Sequence, residues 1–258
     1  MSKVILITGC SSGFGLLTAA RLSTQNKVYA TMRSLEKKVR LEKLVEEVGG
    51  SITILELDVT KPKTIISVVN TIKEKENKLD ILINNAGYGL GGFFEDLTEQ
   101  EVRSQFETNF FGLQHVTRES LPLLRATSQS KIINISSIAG LAASPCLGAY
   151  NASKFAVEGF SESLRFELDS FGTQVILVEP GVFSTNILRE NLKLATYIDS
   201  PQSPYFERSK YLMSRLESRQ EGPENNPMIV VKLIEKIINT PKPKFRYLIG
   251  RDARIRFF

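Results

Sequence analysis

Histidine is almost missing from this chain. Its 258 residues hold one, His115, so neither a multi-histidine metal site nor a Ser-His-Asp hydrolase has material to be built from. His115 itself reads as a helix residue on a core or partner-facing edge. Cysteine is nearly as scarce. Cys10 and Cys146 can close one bridge at most, and a chain of this size needs none, so both are expected to be small apolar fillers in a reduced, cytoplasmic setting. Long hydrophobic runs are lacking too: no apolar stretch approaches the ~18 residues that span a bilayer, and the residues between Lys3 and Gly9 are too few for a signal-peptide core. Charge of one sign is lacking over most of the chain. The 33 Lys and Arg against 28 Asp and Glu leave a net charge of +5, and the segment from Lys242 to Phe258, with six basic residues and one acid, carries that whole excess. A neutral remainder speaks against a nucleic-acid-binding surface, and the basic tail is expected to make at most weak contact with anionic membrane.

What is present is a core-forming composition, 42% hydrophobic, ample for one domain spanning residues 1–258. Val4-Ile5-Leu6-Ile7 has the continuous apolar character of a strand buried on both faces. It runs into Thr8-Gly9-Cys10-Ser11-Ser12-Gly13-Phe14-Gly15 and then into a helical pattern. Strand, glycine-rich turn and helix in that order make a place where backbone can approach a pyrophosphate at a helix N-terminus. The alternation continues: strands at Lys27 to Thr31, Ile52 to Leu57, Leu79 to Ile83, Lys131 to Ser136 and Gln174 to Glu179, with helices at Leu35 to Val48, Lys61 to Lys78, Glu99 to Arg125 and beyond Tyr150. Phe245 to Ile249 reads as a last strand. This order predicts an α/β fold, a doubly wound parallel sheet with helices on both faces. The one irregular stretch, residues 185–226, is punctuated by Ser-Pro and Gly-Pro turns and is expected to be a substrate-binding lid, with Gly181 and Gly222-Pro223 at its ends.

Tyr150 and Lys154 stand four residues apart at the start of a helical pattern, so they share a face. A cation held near a phenol favours the phenolate, which makes the pair a candidate acid or base near neutral pH. By spacing alone, a buried tyrosine beside a solvated lysine is the simpler account. Glu158, Glu162, Arg165 and Glu167 read as charges on the polar side of that helix.

Taken together, the motifs resemble the short-chain dehydrogenase/reductase family over nearly the full length. They are Thr8 to Gly15, Asp58, Asn84 to Gly87, Asn109, Ser137, Tyr150 with Lys154, and Pro180-Gly181 with Thr185. The wording around Cys10, Thr31-Met32-Arg33 and Tyr150 looks most like its hydroxysteroid and retinol dehydrogenase branch. The resemblance implies a Rossmann-like single domain and a nicotinamide-dependent oxidoreductase acting on a carbonyl or alcohol. It implies Tyr150 as acid/base, Lys154 lowering its pKa and holding the nicotinamide ribose, and Ser137 bonding the reacting oxygen. Asn109, which in isolation reads as a surface residue, is implied to bend its helix and hold a water leading protons from Lys154. For the cofactor it implies Gly9, Ser11, Ser12, Gly13, Phe14 and Gly15 at the pyrophosphate, Asp58 and Val59 at the adenine, and Asn85, Ala86 and Gly87 at the adenosine ribose. Pro180, Val182 and Thr185 are implied at the carboxamide. A homodimer or homotetramer is common in the family.

NAD-binding folds usually place an acid about 20 residues after the glycine turn, and an arginine there suits a 2′-phosphate. Here the strand ends Thr31-Met32-Arg33 with no acid before Glu36, so NADP(H) is expected over NAD(H), with Arg33 and Ser12 at the phosphate. Apolar residues in the segments expected over the site (Tyr88, Leu90, Phe93; Leu141, Cys146, Leu147; Leu192, Ile198, Tyr205) point to a small lipophilic substrate, steroid-, retinoid- or long-chain-like, although many of them would serve equally to pack the lid. A dinucleotide-sensing regulator on the same fold is the alternative, and it has no need of all of Asn109, Ser137, Tyr150 and Lys154.

Overall fold

A computed structural model describes residues 2–181, 183, 192–218 and 226–250. In chain order its elements are β1 (Val4–Ile7), α1 (Gly13–Leu22), β2 (Lys27–Met32), α2 (Val39–Glu47), β3 (Ile52–Glu56), α3 (Pro62–Glu76), β4 (Ile81–Asn84) and β5 (Gly89–Gly91). There follow α4 (Glu99–Phe106), a π-helical turn (Glu107–Phe111), α5 (Gly112–Arg125), β6 (Lys131–Ile135), α6 (Gly148–Leu168), β7 (Gln174–Pro180), β8 (Leu192–Leu194), α7 (Phe206–Ser218), α8 (Met228–Asn239) and β9 (Arg246–Ile249). Seven strands form one sheet in the order β3-β2-β1-β4-β6-β7-β9, parallel at each pairing. This is the expected doubly wound sheet.

The apolar runs at β1, β4 and β6 are buried at every position, as strands covered on both faces must be. Successive side chains go to opposite faces. Ile5 and Ile7 meet Leu16, Ala19, Leu41, Val230 and Ile234 of α1, α2 and α8. Val4 and Leu6 meet Ile65, Val68, Val116, Leu123 and Leu164 of α3, α5 and α6. Because the chain winds from β1 outward to β3 and then returns to β4 on the other side, a crevice opens at the carboxyl ends of β1 and β4. A buried chain of hydrogen bonds then sets α6 on the sheet: Asn84 Nδ2 donates to Asn134 Oδ1 at 2.9 Å, and Asn134 Nδ2 donates to Ser161 Oγ at 2.8 Å.

Three departures from the sequence reading have physical causes. The helix expected over Glu99 to Arg125 is interrupted by the π turn, because Asn109 turns inward to bond loop backbone rather than outward to water. Lys131, a charged residue in a strand, is buried, and its Nζ donates to the carbonyls of Ile237, Ile238 and Thr240 at 3.1, 2.9 and 2.7 Å. It thereby satisfies the C-terminal end of α8, where a cation is favoured, although burial and nearby Lys3 pull its pKa down to about 8. Third, β5 pairs with β8 in a small second sheet that three-residue runs do not announce.

That small sheet anchors Leu192–Leu194, within the stretch expected to be a lid. Ala195 N donates to Gly91 O at 2.7 Å, the Phe93 and Tyr205 rings stack at 4.2 Å between centroids, and Thr196 N and Oγ1 donate to Glu101 Oε1 at 3.0 and 2.9 Å. Leu90, Cys146 and Ile198 are buried, so these three pack the region down instead of lining open space. Gly181, expected as a hinge, is clamped by its amide to Ile249 O at 2.8 Å. Residues 184–191 and 219–225, including the Gly222-Pro223 turn, and the tail 251–258 lie outside the described residues. Both cysteines are buried and unbridged, with thiols pushed by burial up to about 12 at Cys10 and about 11 at Cys146. His115 is exposed on α5.

Candidate active site

The glycine turn after β1 is shaped by close approach. Gly9 and Gly13 have φ of 74° and 58°, left-handed values that glycine adopts without a Cβ penalty. Gly15 is needed for a different reason: a Cβ there would lie 2.3 Å from Asn85 Nδ2 and 2.4 Å from Gly9 O. The turn is tied to the end of β4 from both sides. Thr8 Oγ1 accepts from the Asn85 and Ala86 amides at 3.0 Å each, and Asn85 Nδ2 donates to the Thr8 and Gly9 carbonyls at 2.9 and 3.0 Å. The Ser12 side chain does not cap α1, and the first turn of α1 carries no acid, which leaves the positive end of that helix suited to an anion. The cradle therefore fits a dinucleotide pyrophosphate.

Beyond the ends of β4, β6 and β7 the proposed reacting groups converge. Tyr150 and Lys154 lie in the first turns of α6, as their spacing required. The Lys154 Nζ stands 5.9 Å from the Tyr150 ring centroid and donates to Ile135 O at 2.9 Å. Ser137 follows β6; its hydroxyl donates to Pro180 O at 3.4 Å, accepts from Ala139 N at 3.1 Å, and lies near enough to the Tyr150 phenol to act on its titration. Asn109 is buried, not on the surface. Its Oδ1 accepts from Tyr88 N at 3.0 Å, while Nδ2 donates to Tyr88 O at 3.0 Å and to Ser153 Oγ at 3.2 Å. Gly87 closes the group, since a Cβ there would sit 3.1 Å from Asn109 Oδ1 and 3.9 Å from Lys154 Nζ.

The electrostatics correct one expectation. Desolvation pushes the Tyr150 phenol above its ordinary range, and what pulls the other way is the neighbouring Ser137 hydroxyl rather than Lys154. Lys154 is buried and Tyr150 half-buried, so desolvation outweighs the cation. The same burial brings Lys154 down to about 8, with Glu158 opposing it. A phenol that keeps its proton at neutral pH is equipped to donate it.

The other residues expected at the cofactor differ in setting. Ser11, Gly13 and Phe14 lie in the turn and first residues of α1, Ala86 follows β4 against Gly9, and Val59 is buried in the core beside Gly112. Asp58 Oδ1 accepts from Thr60 N and Oγ1 at 3.0 and 2.7 Å, so its carboxylate also stabilises its own loop, and Asn85 chiefly braces the glycine turn. Arg33 is exposed at the end of β2, close enough to Tyr88 to act on it electrostatically. Pro180 ends β7 and accepts from Ser137. Val182 and Thr185 lie outside the described residues.

Three residues beside the site were passed over. Glu158, read as a polar-side charge, is 5% exposed, and Glu179 is 1% exposed. Arg246, counted with the basic tail, points inward and bonds both. Glu158 stands one turn after Lys154 on the stripe that carries Tyr150, and that was the available signal. Among the described residues no three His, Cys, Asp or Glu are grouped to hold a metal, and no helix is long and apolar enough to cross a membrane.

Comparison with known proteins gives a consistent picture. A family model described as short chain dehydrogenase matches residues 3–194. An uncharacterised oxidoreductase of Bacillus subtilis is 40% identical over 98% of this chain and 91% of its own length. A 3-ketodihydrosphingosine reductase of Bacteroides thetaiotaomicron is 38% identical over 99% and 90%, and human retinol dehydrogenase 8 is 36% identical over 99% and 82%. Among solved structures, a short-chain dehydrogenase from Streptomyces avermitilis superposes with a TM-score of 0.85 at 32% identity, covering 100% of this chain and 91% of that one. A Burkholderia phymatum family member in complex with NAD gives 0.81 at 25% identity, covering 95% and 88%. An actinorhodin polyketide ketoreductase with NADPH gives 0.79 at 27%, covering 95% and 94%.

Proposed function

This chain belongs to the short chain dehydrogenase family and is an oxidoreductase, and from that premise we propose that it interconverts a carbonyl and an alcohol on a lipophilic substrate, using NADP(H) in preference to NAD(H). The observation that carries the reading is the gathering of Ser137, Tyr150 and the buried Lys154 ammonium, 5.9 Å from the Tyr150 ring centroid, at the carboxyl ends of β6 and β7, beside the glycine cradle. When bound, the nicotinamide dinucleotide supplies or accepts the hydride. Gly9, Ser11, Ser12, Gly13, Phe14 and Gly15 hold its pyrophosphate, Asp58, Val59, Asn85, Ala86 and Gly87 its adenosine half, Lys154 its nicotinamide ribose, and Pro180, Val182 and Thr185 its carboxamide.

In the reducing direction the substrate carbonyl oxygen takes a hydrogen bond from Ser137 and a proton from Tyr150 Oη. Lys154 balances the phenolate left behind. Asn109 grips both backbone groups of Tyr88 and so fixes the loop wall over Lys154. In oxidation the phenolate form of Tyr150 accepts the alcohol proton instead.

Arg33 supports the cofactor preference. It directly follows β2, where an acid would otherwise bind ribose hydroxyls, and the first acid beyond it, Glu36, accepts from the Ser34 hydroxyl at 3.4 Å. Arg33→Ala is expected to reduce the NADPH-to-NADH ratio of kcat/KM by about tenfold, mostly through KM for NADPH. An unchanged ratio would leave Arg33 a plain surface cation.

The lipophilic reading is supported by the Phe93–Tyr205 wall and by two relatives named for retinol and for 3-ketodihydrosphingosine. The test is a homologous series of ketones and alcohols followed at the nicotinamide absorbance. Catalytic efficiency is expected to rise with each apolar group added, by about 25 cal/mol per Å² buried, and a steady fall along the series would refute it. Residues 185–226 are read as the lid over this substrate, and the protein as a cytoplasmic homodimer or homotetramer. Exposed Phe111 near α5 and Phe155 and Phe166 on α6, at 40%, 45% and 66%, suit a subunit interface.

A further inference from the structure

Two carboxylates lie buried behind Lys154, where an unpaired charge is costly. Glu158 extends from α6 one turn after Lys154, and Glu179 from the end of β7, next to the Pro180 whose carbonyl accepts from Ser137. Arg246 of β9 is their shared partner. Its Nη1 donates to Glu158 Oε2 and, at 2.9 Å, to Glu179 Oε1, while Nη2 reaches the more exposed Glu162 at 3.2 Å. Burial raises both carboxyls, Glu179 to about 7, so one guanidinium between them leaves a negative charge in excess only once both are ionised, and the second cation acting on Glu158 is Lys154.

Packing fixes this arrangement against the reacting groups. A Cβ on Gly140, which closes the turn begun at Ser137, would lie 2.9 Å from Glu158 Cγ, 3.0 Å from Lys154 O and 3.0 Å from Ser136 Oγ. Glu158 Oε1 is buried with no hydrogen-bond partner among the described residues, so that oxygen is held by packing and charge. The charged and titratable groups around Lys154 are Tyr150 and Glu158 on its own helix and, through Glu158, Arg246 from β9 and Glu179 from β7, with Glu162 behind them. From the β6 side come only the Ile135 carbonyl and the Ser136 hydroxyl.

We infer that Glu158 is the positioning residue of Lys154: its carboxylate, one helical turn away and clamped by Arg246, favours the charged form of the buried ammonium without bonding it, and Glu179 shares the clamp so that β7, β9 and α6 stay registered beneath the site. This rests on the reading of Tyr150 and Lys154 given above and adds a residue to it. The balance of forces agrees in direction. Burial brings Lys154 down to about 8 while Glu158 works against that fall, and burial with Glu158 lifts Glu179 to about 7. A charged Lys154 donates stronger hydrogen bonds to a sugar than a neutral amine does, so the device bears on cofactor binding before any chemistry.

The test is the affinity for NADPH in the binary complex, read by nicotinamide fluorescence from neutral to alkaline pH. Wild-type affinity is expected to decline through an inflection near pH 8, where Lys154 loses its charge. Glu158→Gln removes the carboxylate charge at nearly constant shape and is expected to lower that inflection by about one pH unit. Glu158→Asp keeps the charge but withdraws it, and is expected to lower the inflection by less. An inflection unmoved in both variants overturns the inference. So does an equal loss of affinity at every pH accompanied by a lower Tm, which would mark Glu158 as a packing residue only. Should Glu158→Gln not fold, Glu158→Asp decides alone, by an inflection below that of the wild type or not. Tyr150→Phe turnover, measured beside these, separates the two questions: wild-type turnover there would sink the reading of the site, whereas the Glu158 outcomes decide the inference.

Discussion

Tyr150→Phe is expected to lower turnover by about 10²- to 10⁴-fold, the usual worth of a positioned acid or base, while NADPH still binds. The substitution deletes one oxygen and keeps the ring that stands 5.9 Å from the Lys154 ammonium, so the fold of the first turns of α6 is preserved. What disappears is the proton that burial keeps on the phenol. Steady-state rates with a lipophilic ketone, together with a cofactor titration, check both halves. Turnover near wild type would require a proton source other than the Tyr150 phenol. Loss of cofactor affinity along with turnover would mean instead that the variant had disturbed Lys154.

Gly15→Ala is expected to cost about 1–3 kcal/mol of stability, as overpacking does, and to weaken NADPH binding by more than about tenfold. The added methyl would meet Asn85 Nδ2 at 2.3 Å and Gly9 O at 2.4 Å. Relief requires Asn85 to leave the Thr8 and Gly9 carbonyls it bonds at 2.9 and 3.0 Å. Losing that brace unties the glycine turn from β4, and the turn is the surface on which a pyrophosphate is to rest. Thermal melts with and without cofactor are the measurement. If the variant melts like wild type and binds as tightly, the turn is not the rigid cradle described above.

Much of this was legible in residue order because the relevant forces are local. Val4-Ile5-Leu6-Ile7 had to be a strand covered on both faces, and an apolar run ending in glycines had to turn there. Tyr150 and Lys154 shared a face once the segment was helical, whatever lay around them. The single histidine and the paucity of cysteine set limits that no folding could change.

Other features depended on groups brought together from far along the chain. Only its place one turn after Lys154 sets Glu158 apart from Glu162 in the sequence, yet one is 5% exposed and bonded to Arg246 with Glu179, residues contributed by β9 and β7, while the other faces solvent. Asn109 reads in isolation as a surface residue until the loop at Tyr88 arrives to bind it, and Asn85, expected at the cofactor, is also found bracing Thr8 and Gly9. The sign of the Tyr150 shift belongs here too: a neighbouring lysine argues for a lowered value, and burial, which only the assembled sheet and helices create, raises it instead. Sequence spacing settled which side chains share a face; desolvation and long-range pairing, which need the tertiary structure, decided which of them carry charge.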